Sequence, residues 1–227
     1  MKSISTKTFL WSLIFLLFAC HNRTENQSEL VPVKYLALGD SYTIGQGVDV
    51  ADSWPLQLGV KLIENNFSVD KNHIIAQTGW ETTDLLNAIA DSSLEDYNLI
   101  SLLIGVNNQF SNRPFETYTN EFDLLLDQAI ELVGANRTFV ISIPDYGVTP
   151  FGSNNSENIA LELDEYNAYA ASKCQTLNIP FINITEISRQ LGDANGALAT
   201  DNLHPSGMQY GKWVEEMLPV VLEILEE

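Results

Sequence analysis

An aspartate and a histidine three residues apart near the end of the chain, Asp201 and His204, could together activate a nucleophile. A carboxylate that accepts the imidazole N–H fixes the tautomer and stabilises the imidazolium, so that the ring can take a proton from a hydroxyl. The pattern Asp-x-x-His-Pro is also typical of a helix start with a capping residue. Near the other end of the chain, Ser41 follows the apolar run 35–38, where a strand would end. The sequence therefore offers a serine nucleophile together with a base.

The choice of base follows from the positions of the three histidines. A serine hydroxyl needs a base with a pKa near the working pH, which histidine readily provides. His21 lies in a polar N-terminal stretch, and His73 is expected to open the second strand at the end of the sheet away from the site. His204 is therefore predicted to be the base and Asp201 its partner. Pro205 is suited to the first turn of a helix and would set the direction in which His204 projects.

Apolar strand-like runs alternate with helical periodicity along the chain. Strands are predicted at 33–38, 73–76, 97–104, 138–143 and 180–184, and helices at 54–65, 82–90, 115–133, 157–176 and 205–225. Near-continuous apolar strands such as 99–104 are typical of a parallel sheet that is covered on both faces. The expected fold class is α/β, a three-layer doubly wound sheet whose sites lie beyond the carboxyl ends of the strands.

Residues that could carry chemistry follow the predicted strands one after another: Ser41, Gly79, Asn107 and Asp145 after the first four, then Asp201 and His204 after the fifth. The backbone N–H of Gly79 and the carboxamide of Asn107 could stabilise an oxyanion. Taken singly, each is also an ordinary turn residue. Their shared placement at one edge of the sheet favours a common site.

Four segments of the chain resemble the motif blocks of the SGNH (GDSL) hydrolases: Gly39-Asp40-Ser41, Gly79, Gly105-Val106-Asn107-Asn108 and Asp201-Asn202-Leu203-His204. The resemblance implies a flavodoxin-like α/β/α fold with a five-stranded parallel sheet, and the activity of an esterase, lipase or carbohydrate deacetylase. It implies Ser41 as nucleophile, His204 as base and Asp201 as its partner. It further implies an oxyanion hole formed by the Ser41 N–H, the Gly79 N–H and the Asn107 side chain, with no metal or organic cofactor.

The third block departs from the family's common Gly-x-Asn-Asp, because its last position is Asn108. An asparagine loses the charge but keeps a short hydrogen-bonding side chain, so we expect this position to be structural and activity to survive. Asp40, beside the nucleophile, is expected to stabilise a turn rather than to act as a second catalytic acid. The Gly-x-Ser-x-Gly elbow of the α/β-hydrolase fold is absent from the sequence, which disfavours that fold.

Four residues near the predicted rim could line a substrate pocket: Trp80, Asp145, Tyr146 and Phe151. Packing of the loops is an equally good explanation for them. Cys174 is expected to be a small buried residue on a helix rather than a catalytic thiol.

The composition fits one globular domain, with 227 residues of which 45% are hydrophobic. The formal net charge of −19 argues against nucleic acid as a partner, because phosphate backbones are bound by clustered Lys and Arg. It also disfavours approach to anionic lipid.

The first residues are typical of a bacterial secretory signal, with Lys2 and Lys7 before the apolar run 9–18. Residues 1–19 are predicted to be a signal peptide ending at a lipobox, with Cys20 lipidated. An ordinary signal peptide or N-terminal anchor, in which Cys20 is incidental, is the alternative. Residues 20–30 are expected to be a polar tether and residues 31–227 the hydrolase domain. The protein would then be exported to the cell envelope and held at a membrane by its lipid alone.

The sequence therefore predicts a serine esterase that works through an acyl-serine intermediate on a small-molecule, glycan or lipid ester. Acetylated carbohydrates or small soluble esters are favoured over the lipids of a lysophospholipase or lipase. A ligand-binding lipoprotein that keeps the fold without catalysis is the alternative from another class. The sequence predicts no particular oligomeric state.

Overall fold

The computed structural model of the protein describes residues 32–226, and five strands in this part of the chain form one parallel sheet. The strands are β1 (Val33–Gly39), β2 (Val69–Ala76), β3 (Leu99–Leu103), β4 (Thr138–Ile141) and β5 (Phe181–Ile182). They lie in the order β2-β1-β3-β4-β5, with every neighbouring pair parallel. This order is that of a flavodoxin-like, doubly wound sheet, so the predicted fold class is confirmed.

Helices cover both faces of the sheet. They are α1 (Ser41–Ile44), α2 (Trp54–Glu64), α3 (Thr82–Ala90), α4 (Val106–Phe110), α5 (Phe115–Val133), α6 (Ser156–Leu177), α7 (Thr185–Leu191) and α8 (Gly207–Glu226). Helix α8 packs against α2 and α7 in one layer, while α5 packs against α3 and α6 in the other. The sheet reverses its strand order between β1 and β3, and the loops that follow these two strands flank the crevice in which such folds bind ligands.

The core lies along the central strands. All five residues of β3 and all four of β4 are buried, as the near-continuous apolar pattern predicts. The phenolic oxygen of Tyr35 in β1 meets Ser101 Oγ in β3 at 2.7 Å, which satisfies both buried hydroxyls. Strand β2 lies at the edge of the sheet, and its sequence is correspondingly more polar.

Apart from the start of β2, the predicted boundaries lie within two residues of the observed ones. Strand β2 begins at Val69 rather than at His73, because an edge strand with an exposed side carries polar residues that hide its start. His73 therefore lies within β2, opposite Leu36 of β1, and does not open it. The last helix begins at Gly207, and Pro205 precedes it.

The short helices α1, α4 and α7 do not appear among the predicted elements, since four to seven residues give too little periodicity for a pattern to show. The predicted signal peptide, Cys20 and the tether 20–30 lie outside the described residues. Within residues 32–226, no helix combines the length and apolar character needed to cross a membrane.

Candidate active site

Ser41 lies at the junction between β1 and α1. The strand ends at Gly39, and Asp40 caps the short helix by accepting the Tyr42 N–H on Oδ1 at 3.0 Å. Ser41 is the first residue of α1, so its own N–H has no intrahelical acceptor. The junction thus presents a serine hydroxyl and a backbone donor at the carboxyl end of a central strand, where the sequence predicts the nucleophile.

A small hairpin of backbone hydrogen bonds carries Asp201 and His204. The Ala199 N–H donates to the His204 carbonyl at 2.8 Å, and Leu198 forms an antiparallel bridge with Pro205. The prediction that Pro205 lies in the first turn of a helix is wrong, because this bridge holds its backbone outside the helix. The projection of His204 is set by the hairpin instead.

Asp201 uses one carboxylate oxygen for the imidazole of His204 and the other for the backbone around it. Oδ1 accepts the backbone N–H groups of Leu203 at 3.0 Å and His204 at 2.9 Å, while Oδ2 lies 2.7 Å from His204 Nδ1. Burial by itself would raise the pKa of Asp201, but the hydrogen bonds from His204 and Leu203 lower it overall. The carboxylate is therefore kept ionised beside the ring, and Nε2 is the ring nitrogen left for a substrate or a serine.

Ser41 and His204 line one pocket of about 140 Å³. The hydrogen bonds of the described residues do not include one between Ser41 Oγ and His204 Nε2, so the two side chains share the pocket without direct contact of that kind. The ring of Tyr42 packs edge-on against the His204 ring with centroids 5.6 Å apart. The structure thus brings the predicted nucleophile, base and carboxylate to one place, and their catalytic roles stay predictions.

Gly47 allows the segment after Ser41 to approach the Asp201 hairpin. Its φ is +87°, and a Cβ there would lie 2.9 Å from Ala199 Cβ and 3.2 Å from Asp201 Oδ2. Sequence reasoning did not single out Gly47. Its position six residues after the serine gives no signal by itself, because the hairpin comes close only in the folded chain.

The two other predicted oxyanion donors also line the pocket. Gly79 has a φ of +86° and lines the pocket, and its backbone N–H donates to no acceptor within the described residues. Asn107 Nδ2 donates to the Trp80 carbonyl at 2.9 Å. One N–H of this carboxamide therefore ties Asn107 to the loop that carries Gly79, and the second N–H remains for a ligand.

The four residues predicted to line a substrate pocket fall into two groups. Tyr146 and Phe151 line the pocket together with Phe110, which forms an aromatic cluster with them. Trp80 and Asp145 are not among the lining residues. Phe110 was missed by sequence reasoning, although an apolar residue one helical turn after Asn107 could have indicated it.

Asp145 and Trp80 are held elsewhere by their own contacts. The Asp145 carboxylate accepts the Gly147 N–H at 2.8 Å and Arg189 Nε at 2.9 Å, and the side chain is 2% exposed. The Trp80 side chain packs against the core, and only its carbonyl joins the site, through Asn107. Neither side chain therefore lines the pocket that Ser41 and His204 share.

Two other titratable residues have no access to the pocket. His73 is hydrogen-bonded through Nδ1 to the Tyr97 hydroxyl on the edge strand. Cys174 is fully buried on α6, where burial raises the pKa of its thiol to about 12. The expectation that Cys174 is a small buried residue on a helix is confirmed.

The fold and this edge of the sheet together define a hydrolase on a flavodoxin-like scaffold. The model of the GDSL-like lipase/acylhydrolase family matches residues 37–211, most of the chain. The chain therefore belongs to this family, the GDSL/SGNH hydrolases, as the four motif blocks predict. No curated protein matches the chain.

Solved structures similar to this chain share the fold at low sequence identity. A member of the lipolytic protein G-D-S-L family from Veillonella parvula is 17% identical, with a TM-score of 0.65 over 84% of this chain and 98% of its own. An extracellular lipase from Streptomyces rimosus is 17% identical, with a TM-score of 0.62 over 85% and 99%. A carbohydrate acetylesterase family member from Sinorhizobium meliloti is 15% identical, with a TM-score of 0.61 over 86% and 100%.

Proposed function

We propose that this hydrolase is a serine esterase for carboxylic esters with a short acyl group. The observation that carries the proposal is the 2.7 Å contact between His204 Nδ1 and Asp201 Oδ2, on a ring that shares one pocket with Ser41. A base that is already oriented by a carboxylate, in the same pocket as a serine at a strand end, has the parts that acyl transfer needs.

In the proposed acylation step, Ser41 Oγ attacks the ester carbonyl carbon while His204 Nε2 takes the hydroxyl proton. The carbonyl oxygen becomes an oxyanion, which the Gly79 N–H, the Ser41 N–H and the free N–H of Asn107 stabilise. Asp201 stabilises the imidazolium. The intermediate collapses when the bond from carbon to the alcohol oxygen breaks and the imidazolium donates its proton to the departing alcohol, which leaves an acyl-Ser41 ester.

In the proposed deacylation step, His204 takes a proton from a water molecule as its oxygen attacks the acyl carbon. The same donors stabilise the second oxyanion. The bond from carbon to Ser41 Oγ then breaks, and the imidazolium returns its proton to the serine. The products are a carboxylic acid, an alcohol and the original enzyme.

The size of the pocket supports a short acyl group. Its volume of about 140 Å³ is close to the ~150 Å³ of an engineered cavity that holds benzene, and below the ~300–1,000 Å³ of pockets for larger ligands. Apolar side chains dominate the walls, among them Val106, Phe110 and Phe151. Such walls suit a few acyl carbons, whereas a long fatty acyl chain would need more buried length.

Two of the similar solved structures bear names from the two substrate classes under consideration, carbohydrate esters and lipids. The Sinorhizobium protein is named as a carbohydrate acetylesterase family member and the Streptomyces protein as an extracellular lipase. The pocket volume and the net charge of −19 favour the first kind of ester for this chain, because a strongly acidic protein is repelled by anionic lipid. We therefore propose acetylated carbohydrates or other small soluble esters as substrates.

A series of p-nitrophenyl esters from acetate to palmitate tests the proposal, with Ser41→Ala as the control. We expect kcat/KM to be highest for the acetate or butyrate and Ser41→Ala to abolish turnover. An optimum at a long acyl chain would favour the lipase alternative. Normal turnover by Ser41→Ala would defeat the proposed role of Ser41 as the nucleophile. Binding of esters by the unaltered protein without any turnover would favour the non-catalytic alternative.

The aromatic cluster gives a second test of the acyl pocket. Phe151→Ala should lower kcat/KM for the butyrate ester by about 3- to 10-fold and for the acetate ester by less, because the lost contacts serve the acyl carbons beyond the first two. Leu161→Ala is the matched control, since Leu161 is exposed on α6 and is not among the lining residues. Equal losses on both esters would argue that Phe151 does not contact the acyl group.

We also propose that the protein is exported and anchored in the cell envelope through Cys20. The support is the order of Lys2 and Lys7, the apolar run and Ala19-Cys20 in the sequence. Strand β1 begins at Val33 and ends just before Ser41, and its seven residues span about 23 Å. A tether attached at the amino end of β1 would therefore leave the pocket facing away from the anchor. Incorporation of labelled palmitate by the unaltered protein, and its loss in Cys20→Ser, is the expected result.

A further inference from the structure

Asn108 is fully buried and faces Thr82 with both ends of its carboxamide. Its Oδ1 accepts the Thr82 backbone N–H at 3.1 Å, and its Nδ2 lies 2.7 Å from Thr82 Oγ1. A backbone N–H can only donate, so the oxygen of the amide must face it. The amide nitrogen therefore faces the hydroxyl, and Thr82 Oγ1 is the acceptor in that bond.

The Thr82 hydroxyl has one hydrogen, which it must give to a different partner. That partner is Glu121 on α5, whose Oε2 is hydrogen-bonded to Thr82 Oγ1. Thr83 Oγ1 also contacts this carboxylate, at 2.8 Å to Oε1 and 2.9 Å to Oε2. The donors thus point in one direction, from the Asn108 amide to the Thr82 hydroxyl and from there to the Glu121 carboxylate.

This chain of hydrogen bonds joins the two segments that carry the oxyanion donors. Asn107 precedes Asn108 at the start of α4, and Gly79 lies three residues before Thr82. Asn107 Nδ2 binds the Trp80 carbonyl in parallel with the two bonds between Asn108 and Thr82. A shift of Thr82 would therefore change the distance between the Gly79 N–H and the Asn107 carboxamide.

We propose that Glu121 is a positioning residue of the oxyanion hole and that it is coupled to Asn108 through Thr82. The negative charge that the Gly-x-Asn-Asp motif places at the last position of the block is supplied in this chain from α5, on the far side of the Thr82 hydroxyl. The proposal rests on the esterase function proposed above. It predicts that an aspartate at position 108 is tolerated only when the glutamate at position 121 is replaced by an uncharged residue.

The reason is the number of hydrogens at Thr82. In Asn108→Asp the new carboxylate has no N–H to donate, and it competes with Glu121 for the single hydroxyl hydrogen. When Glu121 keeps that hydrogen, a buried oxygen of the new carboxylate is left without a donor. Two like charges also face one hydroxyl. Adding Glu121→Gln reverses the direction of the donors, because the glutamine amide can donate to Thr82 Oγ1 and the hydroxyl can donate to the carboxylate at position 108. Thr83 then donates to the glutamine oxygen.

The test is a double-mutant cycle of Asn108→Asp and Glu121→Gln, with kcat, KM and the thermal midpoint measured for all four proteins. Asn108→Asp should lower kcat about 10- to 100-fold with little change in KM, because misplaced oxyanion donors act on the transition state. Glu121→Gln alone should cost less than about 5-fold, since the amide oxygen can still accept from Thr82. The double variant should return to within about 3-fold of the unaltered protein and regain its thermal midpoint.

Three results would overturn the proposal: an unchanged kcat in Asn108→Asp, a double variant no more active than Asn108→Asp, or losses in KM instead of kcat. If Asn108→Asp is too unstable to assay, failure of Glu121→Gln to restore folding in the double variant overturns it as well. A lack of ester turnover in the unaltered protein is a separate outcome that counts against the proposed function. In that case the cycle in thermal midpoints still decides whether Asn108 and Glu121 are coupled.

Discussion

Two aspartates lie close in sequence to the proposed nucleophile and the proposed base, and they differ in burial and in hydrogen bonding. Asp40 comes directly before Ser41 and is fully buried, while the Asp201 side chain, three residues before His204, is 35% exposed. Asp40 Oδ1 accepts the Tyr42 N–H, but Oδ2 is buried without a partner. Both oxygens of Asp201 accept hydrogen bonds. Burial raises the pKa of Asp40 to about 7, whereas the hydrogen bonds at Asp201 outweigh burial and lower its pKa.

The difference shows that nearness to a catalytic residue does not decide what a carboxyl group can do. A carboxylate that stabilises an imidazolium must keep its charge, and Asp201 does so because three N–H groups face it. Asp40 gains its proton far more readily and serves as the cap of α1. The expectation that Asp40 stabilises the turn is confirmed by its hydrogen bond to Tyr42.

The largest difference between the two aspartates should appear in turnover. Asp201→Asn should lower kcat on a short ester by about 10³-fold, because the amide nitrogen would face His204 Nδ1 and favour the wrong tautomer. Asp40→Asn should cost far less, since its side-chain oxygen can still accept the Tyr42 N–H. A comparable loss in the two variants would remove the functional contrast between them.

The second difference should appear in the pH dependence of stability. The pKa of Asp40 is raised on folding, so its contribution is fully present below about pH 4 and is lost as the pH rises through about 7. An asparagine carries no titrating carboxyl group, so the Asp40→Asn variant does not lose this stability. The free energy of unfolding of Asp40→Asn, minus that of the unaltered protein, should therefore rise by on the order of 3 kcal/mol from about pH 4 to about pH 8. Urea unfolding at several pH values measures it.

Asp201 should change stability in the opposite direction. Its pKa is lowered on folding, so its contribution is present above the unfolded value near pH 4 and is lost as the pH falls below it. The stability deficit of Asp201→Asn should therefore shrink at acid pH. Parallel pH profiles for Asp40→Asn and Asp201→Asn would show that the two environments do not differ as described.

The smallest effect separates the cap at Asp40 from its charge. Asp40→Ala removes both, whereas Asp40→Asn removes only the charge, so at pH 5 the alanine variant should be less stable than the asparagine variant by about 1 kcal/mol. Thermal unfolding of the two variants checks this. Equal stability would mean that the hydrogen bond to the Tyr42 N–H contributes nothing measurable.

The fold class could be predicted because the strands are buried on both faces and therefore read as apolar runs. Helices α3 and α5 have the predicted ends, Thr82–Ala90 and Phe115–Val133. Less regular parts could not be predicted. The bridge between Leu198 and Pro205 joins residues whose pairing leaves no periodic trace, so the sequence predicts a start of α8 two residues before the observed one.

The members of the site could be predicted from their order along the chain, since parallel strands bring successive loops to one edge. Their supports could not. The bond from Asn107 to the Trp80 carbonyl, the place of Glu121 behind Thr82 and the close approach of Gly47 to Asp201 all depend on distances between distant segments. Order along the chain also gives a wrong prediction for Asp145. Its position after β4 predicts a place in the pocket, but its salt bridge with Arg189 holds the side chain elsewhere.

The most direct test of the central claim is covalent labelling by a fluorophosphonate, with the modified residue identified by peptide mass spectrometry. The electrophilic phosphorus centre reacts fastest with a serine whose hydroxyl is activated by a base. The account predicts a single adduct on Ser41 in the unaltered protein, loss of labelling in Ser41→Ala, and labelling slowed by about 10³-fold or more in His204→Ala. An adduct on another residue, or equally fast labelling of Ser41 in His204→Ala, would contradict it.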